Sequence, residues 1–244
     1  MSKRVSEQKK LIEIIRIVAL EGPLSVSDLT RRFSEELGMH YRTARSAIGR
    51  LLPLLIEKGA IVELDKVGPR GTKYVDITPK GCDAALFSGI LDYSEVAGIT
   101  VKHVNELKRP LARAIEFIYK EVFGRTREEK EPEEAAAELL EHLDELETTT
   151  WDDVLEDTLI DPLVYHSHWE EFGLSRELLK DLFEAYKKAS RDLKPYILQI
   201  LEYIANMKEA ESKRLEEEAK QYRASAENIR KFIDKERKKL FRKP

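Results

Sequence analysis

The sequence predicts a mainly α-helical protein with a small β-wing, and three observations lead there. Apolar residues recur at spacings of three and four through most of the 244-residue chain. One stretch breaks that period: AIVELDK and KYVDIT, two short runs of β-formers on either side of VGPRGT. From Leu215 onward the apolar positions settle into a four-three alternation, the pattern of a coiled-coil seam. The expected organisation is an N-terminal domain over residues 1–90, a helical domain with an acidic segment over 91–194, and a long C-terminal helix over 195–244.

A first helix is expected over residues 5–21, where Leu11, Ile12, Ile15, Val18 and Ala19 form one stripe and Gly22-Pro23 stops it. Ser25 to Asp28 then has the form of a capping box, with Ser25 placed to accept from the Asp28 amide. Val26, Leu29, Phe33 and Leu37 give the second helix a buried face, Arg31 and Arg32 remain outside, and Gly38 ends it. Projected at about 100° per residue, the third helix gathers Ala44, Ala47, Ile48, Leu51 and Leu55 on one side. Arg42, Arg45, Ser46 and Gly49 lie opposite, with Arg50 at the edge. Pro53 cannot donate to the Gly49 carbonyl, so a kink or break is expected before Gly59 caps the remainder.

A helix with one packing face and one basic face is what a DNA major groove requires. Guanidiniums can fork onto guanine edges or phosphates, and small residues allow close approach. Tyr41, Arg42, Thr43, Arg45 and Ser46 occupy the N-terminal end, which enters a groove first. The hairpin that follows carries Lys66, Arg70 and Lys73 around its turn. EKGAIVELD and GTKYVDITPKG resemble the strand, wing, strand and "hTxxG" helix start of the MarR and PadR families of winged-helix transcription regulators. The resemblance covers about residues 8–90, a third of the chain, and implies a winged helix-turn-helix. It also implies a wing that touches the minor groove or its phosphates through Arg70 first and Lys73 or Lys66 next.

Charge agrees with that division. Residues 1–80 hold 15 Lys and Arg against 10 Asp and Glu, net +5, so the total of −4 leaves −9 on the other 164 residues. The chain is basic where it would meet a polyanion and acidic elsewhere. Abundant Glu, Lys and Arg with three Asn and three Gln resemble the composition of hyperthermophile proteins. No apolar run approaches the roughly 18 residues needed to cross a bilayer, and MSKRVSEQKK lacks the apolar core of a signal peptide. A cytoplasmic location without a membrane partner is expected, and the single cysteine, Cys82, suits a reducing compartment.

Beyond Pro79 the sequence stays helical in character. Ala84, Ala85, Leu86 and Ile90 suit a connecting helix on which Cys82 is a small buried residue. Pro110 opens a helix carrying Leu111, Ala114, Ile115, Ile118 and Val122 as far as Gly124. Residues 126–161 hold fifteen carboxylates and two cations and are expected to be an exposed acidic linker leading into an amphipathic helix. His166 and His168 stand near Tyr165, Trp169 and Phe172; two histidines do not complete a zinc site, and an aromatic cluster is the expectation. Ser175 is placed to cap a helix running to about Lys194 that buries Leu178, Leu179, Leu182 and Phe183. Pro195 opens the last helix, whose seam runs Leu215, Ala219, Tyr222, Ala226, Ile229, Ile233 and Leu240, with Glu236 its polar intruder. Residues 230–244 carry eight cations and two carboxylates, net +6, either a second candidate phosphate surface or cations placed to complement the helix C-terminus.

No phosphate loop, nucleophile triad or paired carboxylate set is present, so neither enzymatic activity, a cofactor nor a metal is expected. The expected function is a transcription regulator that binds double-stranded DNA as a homodimer, contacting it through Tyr41, Arg42, Thr43, Arg45, Ser46, Arg50, Arg70, Lys73, Arg31 and Arg32. The alternatives are a structural or interaction protein that uses the winged helix as an assembly surface, with a protein partner on the C-terminal helices, and a chromosome- or plasmid-organising DNA-binding protein.

Overall fold

The computed structural model describes residues 5–68, 72–123, 130–146, 149–160 and 176–240. The chain is mainly helical with one three-stranded antiparallel sheet, and it divides into two compact units, Met1–Leu198 and Gln199–Pro244.

Helix α1 (Glu7–Glu21) starts at Ser6, whose hydroxyl accepts from the Lys9 amide, and buries Leu11, Ile14, Ile15 and Val18. Strand β1 (Leu24–Ser25) follows, too short to carry a period that sequence could reveal. Ser25 then caps α2 (Val26–Glu36) by accepting from the Asp28 amide at 3.0 Å, as its spacing to Asp28 requires. Leu29 and Phe33 are wholly buried on α2. Helix α3 (Tyr41–Glu57) packs against both α1 and α2.

Pro53 does not break α3, which runs through it to Glu57. Gly49 and Pro53 are both exposed, so water can satisfy the carbonyl that the proline leaves without a donor. The buried face is Ala44, Ala47, Ile48, Leu52 and Leu55. It is therefore turned toward Leu52, leaving the expected Leu51 only partly covered. Gly59, at φ +76°, turns the chain out of the helix in the left-handed conformation that glycine tolerates.

Strands β2 (Ile61–Gly68) and β3 (Thr72–Ile77) form the hairpin, with Ile61 opposite Ile77 and β1 adding along the far edge of β3. Thr78 then caps α4 (Pro79–Phe87), accepting from the Gly81 amide at 2.9 Å while its own hydroxyl donates to the Gly59 carbonyl at 2.6 Å. A Cβ on Gly81 would sit 2.1 Å from the Ala60 carbonyl oxygen, so only glycine lets α4 start so close to β2. Cys82, Ala84, Ala85, Leu86 and Ile90 are buried.

Next come α5 (Tyr93–His103), begun by an Asp92/Glu95 capping box, and α6 (Arg109–Ile118) with Pro110 in its first turn. A π-helical turn, Tyr119–Phe123, extends α6. Tyr119 stacks on Tyr93 with centroids 5.3 Å apart and donates its hydroxyl to the Leu159 carbonyl. That carbonyl lies in a second π-helical turn, Val154–Ile160, which continues α8 (Trp151–Asp153).

The amphipathic helix expected within the acidic stretch is present, and residues 124–129, part of the linker expected to lead into it, lie outside the described residues. Helix α7 (Pro132–Glu145) buries Ala135, Ala136, Leu139 and Leu143 and packs on α1 and α4. Its carboxylates line the outer side, so the charge marks the solvated face of an amphipathic helix. Helix α9 (Arg176–Lys188) buries Leu182 but leaves Phe183 52% exposed, and it ends short of Lys194. Gly124, Tyr165, His166, His168, Trp169, Phe172 and Ser175 lie outside the described residues, as does the side chain of Leu178. Pro195 stands in the first turn of α10 (Lys194–Leu240), a 47-residue helix on which Leu215 and Tyr222 are 51% and 75% exposed. No described helix is long and apolar enough to cross a membrane.

Candidate nucleic-acid interface

Helix α3 presents its basic side outward because its other side is fixed in the core. Ala44, Ala47 and Ile48 are at most 2% exposed, which orients the helix about its axis. Tyr41, Arg42, Thr43, Arg45, Ser46, Gly49 and Arg50 are thereby exposed together. The first turn is shaped by His40, whose Nδ1 accepts from the Arg42 amide at 3.2 Å.

The candidate cations are not electrically equivalent. Among the described residues, Arg42 and Arg45 have no ion-pair partner. Arg50 meets Glu7 of α1 at 3.3 Å, and Glu7 is also held by Lys10 at 2.6 Å. The Lys10 hydrogen bond, supported by the charges of Lys10 and Arg50, keeps the Glu7 carboxyl below the usual range. Arg31 pairs with Asp28 at 2.9 Å, Arg32 with Glu21 at 3.0 Å, and Lys73 with Glu63 across the hairpin at 2.7 Å. Each is an exposed pair worth about 0–1 kcal/mol, less than a new charge-assisted phosphate contact returns, so each cation can change partner. Arg70 lies outside the described residues, and the side chain of Lys66 is not described.

Periodicity alone did not point to Glu7, Glu21 and Glu63. Glu7 and Glu21 come from α1, and only the tertiary fold brings them beside α3 and α2. Glu63 was within reach, because the hairpin register places Glu63 opposite Val75, diagonal to Lys73.

A second cluster lies where β3 meets the helices behind it. Asp76 is 8% exposed and accepts from the Ile77 amide at 2.9 Å. His103 of α5 brings Nε2 to 3.9 Å from that carboxylate and stacks on Trp151 at 4.3 Å between centroids. Burial raises the Asp76 carboxyl and lowers the His103 imidazole, so both are pushed toward their neutral forms. The Asp76 carboxylate also occupies the space beside Gly22, where a Cβ would stand 2.4 Å from it.

Among the described residues, no three His, Cys, Asp or Glu side chains are grouped so as to hold a metal ion. An open groove of about 500 Å³ between α1, α5 and α6 is lined by Glu95, Lys102, Glu116 and Lys120, and its mixed charges select for no single ligand class. Compared with known proteins, the chain matches no family model, no curated protein and no solved structure.

Proposed function

We propose that this chain is a winged helix-turn-helix protein that binds double-stranded DNA. The more particular reading is a transcription regulator working as a homodimer. One observation carries it: Arg42 and Arg45, with no ion-pair partner among the described residues, stand on the exposed face of a helix whose opposite face is locked in the core. The order helix, strand, helix, helix, hairpin over Glu7–Ile77 supports the same reading, because it sets α3 ahead of a two-stranded wing. In this reading the N-terminal turns of α3 enter the major groove and Lys73, with Arg70, grips the backbone beside it. Arg31 and Arg32 exchange their carboxylates for flanking phosphates.

Selection of bound sequences from random duplex DNA, followed by titration of variants against a selected site, tests this. Arg42→Ala and Arg45→Ala are each expected to cost about 1–3 kcal/mol and to relax base preference, whereas Lys73→Ala weakens all sequences alike and lowers the salt slope by about one. Absence of micromolar binding to any duplex at low salt would overturn the reading. It would favour the assembly-surface alternative, to which the internally paired Arg50, Arg31, Arg32 and Lys73 are better suited. A chromosome- or plasmid-organising protein shares these contacts and differs in giving long, cooperative footprints without a selected site.

A further inference from the structure

Helix α10 carries two features that nothing so far absorbs: an apolar seam on which Leu215 and Tyr222 are exposed, and a charge gradient along its length. A lone helix cannot bury its own stripe, and Leu215 and Tyr222 are 51% and 75% exposed. Residues 209–218 hold five carboxylates and two cations, net −3, while residues 230–239 hold six cations and two carboxylates, net +4. Two copies side by side in parallel would set +4 against +4; two copies in opposite directions set −3 against +4 at both ends.

We propose that α10 pairs antiparallel with α10 of a second copy, in the register that places Leu215 opposite Ile233, Ala219 opposite Ile229 and Tyr222 opposite Ala226. Three features of the sequence fit this register together. The heptad rule for antiparallel pairs sets the first position of one helix against the fourth of the other, and all three pairs obey it. Each small residue meets a large one, Ala219 with Ile229 and Ala226 with Tyr222, as close packing between facing layers requires. The same alignment brings residues 209–218 directly against 230–239, and it pairs Glu236, the polar residue of the seam, with Ser212. A parallel pair would instead stack Tyr222 on Tyr222, Ala219 on Ala219 and Glu236 on Glu236, leaving gaps beside crowding and two like charges in contact.

Antiparallel pairing also fixes polarity. The N-terminal ends of the two helices, from which the rest of each chain continues, fall at opposite ends of the pair.

This proposal rests on the homodimer part of the reading above and not on DNA binding. Two full-length variants, Leu215→Cys and Ile233→Cys, test it, since Cys82 is buried and competes poorly. Mild oxidation of the mixture is expected to give a disulfide-linked dimer that neither variant forms alone. Crosslinking of Leu215→Cys to itself would overturn the orientation, and a dimer in which neither combination crosslinks would overturn the register. A monomer in sedimentation velocity at tens of micromolar would overturn the pairing. Failure to bind duplex DNA alongside the mixed crosslink would refute the DNA reading alone.

Discussion

If the chain binds duplex DNA as proposed, replacing Glu7 by glutamine is expected to tighten that binding, although Glu7 lies outside α3. Its carboxylate holds Arg50 at 3.3 Å and Lys10 at 2.6 Å, so it neutralises two cations beside the basic face of α3. The Arg50 and Glu7 side chains are 62% and 48% exposed, where screening by water leaves such a pair a net 0.2–1 kcal/mol or so. Binding must spend that amount to release Arg50 to a phosphate. Glu7→Gln removes the cost and also removes a negative charge facing the backbone. The expected gain is about 1 kcal/mol at 50 mM salt, roughly a fivefold lower Kd, with the salt slope steeper by about one phosphate contact. Fluorescence anisotropy of a labelled duplex between 50 and 300 mM salt measures both, and the gain should fade as screening shortens the Debye length from about 14 Å to about 6 Å. An unchanged Kd in Glu7→Gln, alongside a loss of binding in Arg45→Ala, would place the Arg50 edge of α3 outside the interface and refute this reasoning.

Two further expectations concern the fold beneath the site. Gly81→Val forces a side chain into the Ala60 carbonyl, with backbone on both sides and no flexible neighbour to yield. It should cost about 3 kcal/mol or more, read as a lower denaturant midpoint, and a loss below 1 kcal/mol would show that α4 can slide off β2. His103 has its folded pKa below the ordinary value, so its contribution is present above about pH 6.5 and is lost as pH falls through the folded pKa. Asp76, raised by burial, acts in the opposite sense, favouring the folded state at low pH. His103→Gln should therefore flatten the decline in stability as pH falls below about 6.5 relative to the parent protein, and parallel curves would refute the assignment.

The reading from sequence was strongest where one element decides its own outcome. The stripe of α1, the Ser25 cap and the Thr78-to-Gly81 helix start follow from spacings of three and four residues, and the structure places each at the predicted position. The exposed side of α3 was legible for the same reason. What periodicity could not supply are long-range partners. That Arg50 and Arg32 are paired while Arg42 and Arg45 find no ion-pair partner among the described residues depends on where α1 lies, and α1 is held by the buried Ile14, Ile15 and Val18 and packs on several other elements. The acidic stretch was legible as leading into an amphipathic helix, but not as one that docks on α1 and α4. A count of carboxylates weighs every position equally, whereas Ala135, Ala136, Leu139 and Leu143 fold α7 onto its neighbours through four small apolar contacts. Leu52 displaced Leu51 from the core because a helix face is centred by what it packs against, here α2, β2 and α1, which a projection of α3 alone does not contain.

The docking of α7 on α1 and α4 has a consequence for the order in which this protein can be made. Those helices precede α7 by about 110 and 45 residues, so a nascent chain that has emerged only to the end of α4 has not yet made the surface that covers them. The first ninety residues therefore leave the ribosome with sticky flanks and wait, during translation, for a segment still to come. An isolated fragment of that length would keep those flanks bare and is expected to aggregate where the full chain stays dispersed. The part that would touch DNA is finished by a helix that would never touch it.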